Sequence, residues 1–596
     1  MVGGKLIQRR ELPVLADDLP QEMHPVLKRV YQARNISGQD ALDRSLDRLH
    51  NPDRLLGIKE AAHLLANVIE SDGRFLVVAD FDADGATSCA LAIRALRAMG
   101  AAHVHYLVPD RAVHGYGLTP AIVEEAAHRS PDIIITVDNG ISSIAGVDAA
   151  KARGIKVLVT DHHLPGNKLP AADAIVNPNQ SGDTSQCNTL AGVGVTFYVL
   201  LALRALLRQQ NWFEKRSIAE PNLAQWLDLV ALGTVADLVP LDENNRRLVA
   251  QGLARINQGK CVAGIRALLV EGKRGNRTLA ASDLGFFVAP RLNAAGRLED
   301  MSIGIECLIT DDVEVARQLA SRLDEINSER RQIQQRMQQQ ALAVMEKLDL
   351  ESSALPTGLC LFDERWHQGV VGLVASRLKE RYHRPTIAMA PAGEGELKGS
   401  ARSINGLHIR DTLDQLATQH PHLLQRFGGH AMAAGLSIRK EHFDDFAAAF
   451  DEIVTMQLDE NDLQEVLLSD GELEADELHL SLAETLRDAG PWGQGFPEPL
   501  FEGTFRIINS RIVGGKHVKM VLSHGDGVEV DAIAFNQLED APACELQKIY
   551  VVYRLDINEF RGARSVQLIV VHMSPLTAPS ETNQVAPNNS KIQEAI

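Results

Sequence analysis

RFLVVADFDADG, residues 74–85, is the segment from which the fold class can be inferred. It is an apolar, β-branched run that ends in Asp80, Asp82 and Asp84, followed by Gly85. A short apolar run of this kind, followed by residues with helical spacing, predicts a strand buried in a parallel sheet. Ligands of such sheets bind beyond the carboxyl ends of the strands. The sequence therefore predicts that these carboxylates lie at a ligand-binding edge.

Four more apolar runs follow, alternating with helical patterns. They are HVHYLV from residue 103, DIIITVD from residue 132, KVLVTD from residue 156 and DAIVNP from residue 173. Helical spacing occupies residues 86–99, 119–129 and 142–153, and Gly100 and Gly154 follow two of these segments as stops. This alternation predicts an α/β fold with a doubly wound parallel sheet.

The remainder of the chain predicts further domains, as expected for 596 residues. The boundaries we predict are an N-terminal extension (1–49), a catalytic domain (50–310), a connecting helix (311–350), a second α/β domain (351–455), a small all-β barrel with its linker (456–575) and a disordered tail (576–596). The connecting helix is predicted from a long charged and Gln-rich stretch without Gly or Pro. The barrel is predicted from alternating runs such as HVKMVLS.

Composition restricts the classes of function. We find neither an apolar run long enough to span a bilayer nor a secretory signal, so a cytoplasmic location without a membrane partner is expected. The six cysteines lack CxxC spacing, which argues against a disulfide framework or a structural zinc site. The net charge of −18 requires that any surface for nucleic-acid phosphates be local.

Acids and histidines follow several of the predicted strands. Asp138 precedes Asn-Gly, Asp161, His162 and His163 are consecutive, and Asp237 ends a later apolar run. Taken singly, each has an ordinary explanation as a turn, surface or loop residue. Together they offer oxygen and nitrogen ligands of the mixture that suits Mn²⁺.

This set predicts a site for two cations about 3.5–4 Å apart, which suits phosphoester hydrolysis. The predicted ligands are Asp82, Asp84, Asp138, His162 and Asp237, with Asp138 bridging the metals. Catalytic support is predicted for three other residues, which would orient ligands, contact phosphate or assist proton transfer: Asp80, Asp161 and His163.

The motifs resemble those of the DHH phosphoesterase superfamily in their order along the chain. They are DFDADG at 80–85, the acid of TVDNG at 138, DHH at 161–163 and the acid of GTVADLVP at 237. WHQGVVGLVASRL from Trp366, GSARS from Gly399 and FGGHAMAAG from Phe427 resemble the DHH-associated domain. A histidine that some relatives carry near the first strand has no counterpart, since Val77 and Val78 precede Asp80, so the full ligand set stays open.

The resemblance implies a DHH domain and a DHH-associated domain across a groove, with a C-terminal OB-type barrel. It further implies two Mn²⁺ or Mg²⁺ ions and a 5′-to-3′ exonuclease, specific for single-stranded DNA, that releases mononucleotides in recombination and repair. A single-strand-binding protein and a helicase are possible partners. The alternative is a DHH phosphodiesterase for short oligonucleotides, cyclic dinucleotides or pyrophosphate. A non-catalytic scaffold is disfavoured because all four motifs are intact.

Substrate contacts are predicted from segments downstream of the acids. Glycines admit backbone amides close to a phosphate, and arginine offers bidentate bonds. The candidates are Arg291, Asn293, Arg297, Ser400, Arg402, Gly428, Gly429 and His430. The competing explanations are structural salt bridges for the arginines and a tight turn for Gly-Gly-His.

The barrel segment carries basic residues among apolar ones. This combination suits the binding of single strands without sequence preference. The basic residues are Arg506, Arg511, Lys516, His517, Lys519, Arg554, Arg561 and Arg564. Phe505 and Phe560 are predicted to stack on bases, while Trp366 and Trp492 could equally be core residues. Solvated strand faces are the competing explanation for the basic residues.

Overall fold

The fold is that of a computed structural model of the chain. It describes residues 5–13, 18–109, 117–275, 278–351, 355–525, 527–537, 548–560 and 562–576, except the side chains of residues 344–351 and Phe560. The chain forms two compact units. The larger unit contains Gln39–Leu467 and Gly490–Pro497, and the smaller contains Ile7–Gly38, Leu468–Ala489 and the segment from Glu498 onward.

The strands and helices of both units are numbered in chain order. The strands are β1 (Leu6–Arg9), β2 (Arg74–Ala79), β3 (His103–Leu107), β4 (Ile133–Val137), β5 (Lys156–Thr160), β6 (Ala174–Val176), β7 (Leu359–Phe362), β8 (Thr386–Pro391), β9 (Glu396–Arg402), β10 (Arg426–Gly429), β11 (Ala433–Arg439), β12 (Val466–Ser469), β13 (Phe501–Val513), β14 (His517–Ser523), β15 (Glu529–Ala534), β16 (Lys548–Phe560) and β17 (Ala563–Pro575). The helices are α1 (Pro25–Gln32), α2 (Ile58–Glu70), α3 (Ala83–Ala98), α4 (Pro120–Ala127), α5 (Ile144–Ala152), α6 (Gly192–Gln209), α7 (Trp212–Arg216), α8 (Leu227–Ala236), α9 (Glu243–Asn257), α10 (Ala263–Glu271), α11 (Ala281–Asp283), α12 (Ala289–Leu298), α13 (Ser302–Ile309), α14 (Val313–Glu351), α15 (Val371–Tyr382), α16 (Ile409–Gln419), α17 (Phe443–Gln457) and α18 (Leu480–Ala489).

The first sheet confirms the predicted α/β fold class. Its five strands are parallel in the order β3-β2-β4-β5-β6. The central strands are almost entirely buried because helices cover the sheet: α4 and α5 pack on the side bearing Leu76 and Val78, and α2, α3 and α6 also contact its strands. Gly100 and Gly154 take the left-handed conformation just after α3 and α5, as expected of helix stops.

Within the described residues one helix, α6, is long and apolar enough to cross a membrane by length and composition. It is mostly buried and packs against α2, α3 and α8. That is the pattern of a core helix, so the finding is weak evidence for a membrane span.

The second sheet has the order β10-β11-β9-β8-β7, with β7 and β8 parallel and the other pairs antiparallel. The long helix α14 spans the stretch predicted as the connecting helix and contributes Met337 and Ala341 to the core that holds β7 and α15. Trp366 lies in the same core, where its indole N–H donates to Gln340. Trp366 is therefore a core residue.

The smaller unit contains a closed barrel with the order β13-β14-β15-β17-β16, as the predicted all-β module requires. Residues 7–38, which the sequence assigns to a separate extension, belong to this unit. The buried Arg34 donates to both carboxylate oxygens of Asp470, at 2.7 and 3.0 Å, and Tyr31 donates to the carbonyl of Ala489. Asp470 lies in the segment predicted as a linker, so that segment is structured. The predicted tail lies, apart from Leu576, outside the described residues.

The barrel corrects the prediction for Phe505. Its ring is buried against Tyr553 and His524, so it is a core residue and cannot stack on bases. Three of the predicted basic contacts are ion-paired within the unit, as Lys519–Asp531, Arg554–Glu498 and Arg564–Glu484. Arg506, Arg511 and Lys516 are exposed, and His517 is half-buried. Arg561 and the side chain of Phe560 lie outside what the structure describes.

Candidate metal centre and substrate groove

The predicted site residues converge because their strands are neighbours. Asp80 follows β2, Asp138 follows β4, and residues 161–163 follow β5, all at the carboxyl edge of adjacent parallel strands. Asp82 caps the N-terminus of α3 and Asp84 lies in its first turn. Asp237 arrives from elsewhere in the chain, as the residue that ends α8.

His162 lies at the middle of this group. Its Nε2 atom is 3.1 Å from Oδ1 of Asp138, 3.4 Å from Oδ2 of Asp237 and 4.0 Å from Oδ2 of Asp84. Three sets of possible ligand atoms lie within 4.8 Å of one another: Asp138, His162 and His163; Asp84, His162 and Asp237; Asp80, Asp82 and Asp138. Asp138 and His162 each belong to two sets, so the arrangement suits more than one cation.

The carboxylates are too close and too buried to be charged together without cations. Burial, followed by the charges of neighbouring aspartates, raises the pKa of Asp80, Asp138 and Asp237 well above the ordinary value. Burial and then the charge of Asp82 raise the pKa of Asp84 to about 7. A divalent cation would reverse this balance by favouring the ionised form.

The two histidines have opposite protonation. Burial, and then the charge of His163, lowers the pKa of His162 to about 4, so its imidazole is neutral. Burial also acts to lower the pKa of His163, but its hydrogen bond with Asp161 and the charges of Asp161 and Asp237 outweigh this and raise it to about 9. Nδ1 of His163 is 2.7 Å from Oδ1 of Asp161. Burial acts to raise the pKa of Asp161, but the hydrogen bond and charge of His163, together with backbone hydrogen bonds from Ile141 and His163, outweigh it and hold the pKa below the usual value.

The donor set fits Mn²⁺ or Mg²⁺. Carboxylate oxygens suit both ions, and a neutral imidazole with an available lone pair suits Mn²⁺ in particular. The Nε2 atom of His162 is buried and makes no hydrogen bond within the described part of the chain. A buried acceptor without a donor is costly, and a cation at this point would satisfy it.

Backbone groups fix the carboxylates in place. Asp82 accepts from the N–H of Gly85 at 2.9 Å, and Asp84 accepts from the N–H groups of Gly192 and Val193 at the start of α6, at 2.6 and 2.9 Å. Gly192 has no room for a side chain, because a Cβ there would lie 2.6 Å from the Cβ of Asp138. The sequence analysis missed Gly192, since only the folded chain brings α6 to this edge.

Asp138 has a left-handed backbone, with φ of 62°. Non-glycine residues rarely adopt this conformation, although Asp and Asn tolerate it best, and such residues cluster at functional sites.

Two further asparagines missed by the sequence analysis support the histidines. Asn177 donates to the carbonyl of His163 at 2.9 Å, and Asn179 donates to that of His162 at 2.6 Å. Both follow β6, the neighbour of β5 in the sheet. They therefore fix the backbone from which both imidazoles project.

A groove of about 700 Å³ lies in the same unit. Four cationic side chains and one imidazole lie in its lining: Arg297, Lys398, Arg402, Arg426 and His367. Ser400 and Gly429 also line it, and Arg402 donates to the hydroxyl of Ser400 at 2.8 Å. The groove thus brings together four of the predicted substrate-contacting residues, whereas Gly428 is exposed outside this lining.

His430 reaches the metal centre from the second sheet. Its ring stacks against that of His163, with centroids 6.1 Å apart. Burial, and then the positive charge of His163, lowers the pKa of His430, so it is neutral beside a protonated partner. His430 begins the turn between β10 and β11, and the last residue of β10 must be Gly429, whose φ is 143° and whose Cβ would lie 2.4 Å from the carbonyl oxygen of Ala433.

One prediction from the segment 290–300 needs correction, and one stays a prediction. Arg291 is 5% exposed and pairs with Asp324 at 2.6 Å, so it is a structural residue and does not contact substrate. The predicted substrate contact of Asn293 is untouched by this: the residue is half-buried and accepts from the N–H of Ala83 at 2.8 Å, at the start of α3 between Asp82 and Asp84. Its carbonyl oxygen is thus engaged by the protein.

The parallel sheet with its acidic edge, the Asp-His-His segment and the basic groove define a metal-dependent phosphoesterase of the DHH class. Family models agree: the DHH family N-terminal domain matches residues 74–234, the DHHA1 domain matches residues 355–456, and the RecJ OB domain matches residues 469–572. The resemblance drawn from the motifs is confirmed.

Whole-chain comparisons name the particular family. The chain is 53% identical to the single-stranded-DNA-specific exonuclease RecJ of Dickeya dadantii, over 96% of this chain and 99% of that protein. It is 52% identical to RecJ of Escherichia coli over the same shares. The chain belongs to the RecJ family of single-stranded-DNA-specific exonucleases.

Solved structures of a RecJ protein are also similar to this chain. RecJ of Thermus thermophilus in complex with Mn²⁺ superposes with a TM-score of 0.78 at 29% identity, covering 98% of this chain and 81% of that one. The Mg²⁺ complex of the same protein gives a TM-score of 0.73 at 28% identity, covering 96% and 79%.

Proposed function

We propose that this protein is a metal-dependent exonuclease that degrades single-stranded DNA and acts in recombination and repair. One observation carries the proposal: carboxylate oxygens of Asp84, Asp138 and Asp237 lie within 4.0 Å of Nε2 of His162. The chain also matches RecJ proteins along almost its whole length. The basic groove in the same unit supports a polyanionic substrate.

Five residues are proposed as cation ligands: Asp82, Asp84, Asp138, His162 and Asp237. Bound Mn²⁺ or Mg²⁺ supplies Lewis acidity to the phosphoryl group and to the attacking water. Asp138 shares two of the three ligand sets, which supports its proposed bridging role. Asp80 completes the set with Asp82 and is proposed to orient that carboxylate or its water.

His163 is proposed to move the proton. Its pKa of about 9 keeps the imidazole protonated at neutral pH in the metal-free protein, and the hydrogen bond between Nδ1 and Asp161 fixes the ring. A proton given from this imidazole to the departing 3′ oxygen would release a mononucleotide from the 5′ end. The neutral His430, with Arg297, Ser400, Arg402 and Gly429, is proposed to hold the phosphates beside the scissile one.

The proposal also includes the direction of cleavage, 5′ to 3′, which is tested with DNA labelled at one end. Matched single-stranded and duplex DNA, labelled at either end, would be incubated with Mn²⁺, with a cyclic dinucleotide and pyrophosphate in parallel. The proposal predicts immediate release of labelled mononucleotide from the 5′ label on single strands alone. Release from the 3′ label first would contradict the polarity, and intact DNA with rapid turnover of the small substrates would contradict the substrate class.

A cytoplasmic location and cooperation with a single-strand-binding protein and a helicase are proposed from family membership. Co-precipitation of the tagged protein with each partner, with and without nuclease treatment, tests the second point. Recovery that depends entirely on DNA would contradict a direct contact.

A further inference from the structure

Two adjacent phenylalanines before α12 have different surroundings. The ring of Phe287 is covered by the guanidinium of Arg274, 3.8 Å from the ring centroid, and Arg274 is held by Asp283. Phe286 is 68% exposed. The two neighbouring rings therefore differ in their accessibility to a ligand.

The backbone at Phe286 is also unusual. Leu284–Val288 form a single π-helical turn that continues into α12. Such turns are rare and frequently mark functional sites.

Three accessible positions lie on α12 after Phe286. Between residues 288 and 297 every residue is buried except Pro290, Asn293 and Arg297. Separations of three and then four residues put these positions on one helix face. This stripe covers about 10 Å of α12, at 1.5 Å per residue, and Phe286 precedes it in the π-helical turn.

The stripe is tied to the metal centre at several points. Asn293 accepts from the N–H of Ala83, between Asp82 and Asp84 at the start of α3, and Arg297 lines the basic groove with Ser400 and Arg402. At the other end a Cβ on Gly285 would lie 3.3 Å from the side chain of Val235, two residues before Asp237. An aromatic ring therefore stands at one end of a helix whose other end contacts the groove.

We propose that Phe286 is a stacking platform for an unpaired nucleobase of the DNA strand whose backbone enters the groove past Arg297; the inference rests on the proposed function. Stacking on an aromatic side chain stabilises a bound base by about 1–3 kcal/mol and tolerates every base. In a duplex the faces of the bases are already stacked on their neighbours. Phe286 thus favours single strands without reading their sequence.

The test uses Phe286→Ala and Phe286→Trp in the full-length protein, with Met456→Ala as the matched control. Met456 is 69% exposed on α17 and has no place in the site. Phe286→Ala is expected to raise the KM for a long oligo-dT by roughly 5- to 150-fold, the stacking energy converted at 1.4 kcal/mol per tenfold. Turnover of a dinucleotide and kcat on the long strand are expected to stay unchanged, and Phe286→Trp is expected to restore the KM.

A strand with abasic sites is the most specific readout, because it should be bound equally by the wild type and by Phe286→Ala. An unchanged KM for long strands in Phe286→Ala, or an equal loss on the dinucleotide, would overturn the inference; the second result would mean a structural role. Fluorescence anisotropy without added metal separates this claim from the proposed function. A wild type that binds the strand but never cleaves it would refute the exonuclease, while the effect of Phe286→Ala on binding would still decide the platform.

Discussion

Asp138→Asn separates metal binding from folding. Asparagine keeps the shape of the side chain and tolerates the left-handed backbone, with φ of 62°, that residue 138 adopts. It removes one carboxylate charge from a residue that is 1% exposed. We therefore expect the variant to lose the cations and to gain stability without them.

The size of this gain follows from the geometry. The ligand atoms of Asp80, Asp82 and Asp138 lie within 4.8 Å of one another. Two unit charges at that distance repel by about 3.5 kcal/mol at an effective dielectric constant of about 20. Protonation already relieves part of this, since burial raises the pKa of Asp138. The metal-free variant should therefore be more stable by about 1–2 kcal/mol, or roughly 2–8 °C in Tm for a domain of this size.

The assay is thermal unfolding with EDTA and with Mn²⁺. Mn²⁺ at 100 times its Kd should stabilise the wild type by about 2.7 kcal/mol and the variant far less. Hydrolysis should fall by at least about 10²-fold, because a ligand shared by two cations is removed. Asp148→Asn, at an exposed acid on α5, is the matched control and should change nothing. If Mn²⁺ stabilised Asp138→Asn as much as the wild type, Asp138 would not be a shared ligand. If the variant were less stable than the wild type in EDTA, the charge repulsion at residue 138 would be refuted.

Three further predictions concern other residues of the site and its supports. Gly192→Ala should weaken Mn²⁺ binding at least tenfold in calorimetry, because its Cβ would lie 2.6 Å from that of Asp138; unchanged affinity would show that α6 can shift. The pKa of Asp84 is raised to about 7, so its protonated form stabilises the metal-free fold below about pH 4 and this stability is lost as the pH rises towards 7. Urea unfolding in EDTA should therefore show a flatter pH dependence for Asp84→Asn than for the wild type, and equal slopes would contradict the shift. Arg291→Met should lower the free energy of unfolding by roughly 2 kcal/mol or more, since it strands Asp324, and leave the KM for single strands unchanged; a raised KM at full stability would restore Arg291 to the substrate site.

The sequence predicted that the acids and histidines cluster, because most of these residues follow strands. Once RFLVVAD, DIIITVD and KVLVTD are recognised as neighbouring parallel strands, Asp80, Asp138 and Asp161 must share an edge. The residues that sequence reasoning missed act through the folded backbone. Gly192 and Asn177 carry no local signal, and their roles appear only when α6 and β6 arrive beside the acids.

Side chains whose environment depends on tertiary packing were predicted less well. Arg291 lies in a motif that suits phosphate binding, but its guanidinium is buried and pairs with Asp324 of α14. Phe505 lies in a strand with the predicted alternation of apolar and polar residues, but its side chain points into the closed barrel and is buried there. The N-terminal segment was assigned to no domain, because its partner Asp470 is 436 positions from Arg34 along the chain.

Anomalous diffraction from crystals soaked in Mn²⁺ would locate the cations and count them. We predict two peaks about 3.5–4 Å apart, both within bonding distance of Asp138, with His162 and Asp237 at one of them. A single peak, or two peaks that Asp138 does not touch, would contradict a two-cation centre built on these residues.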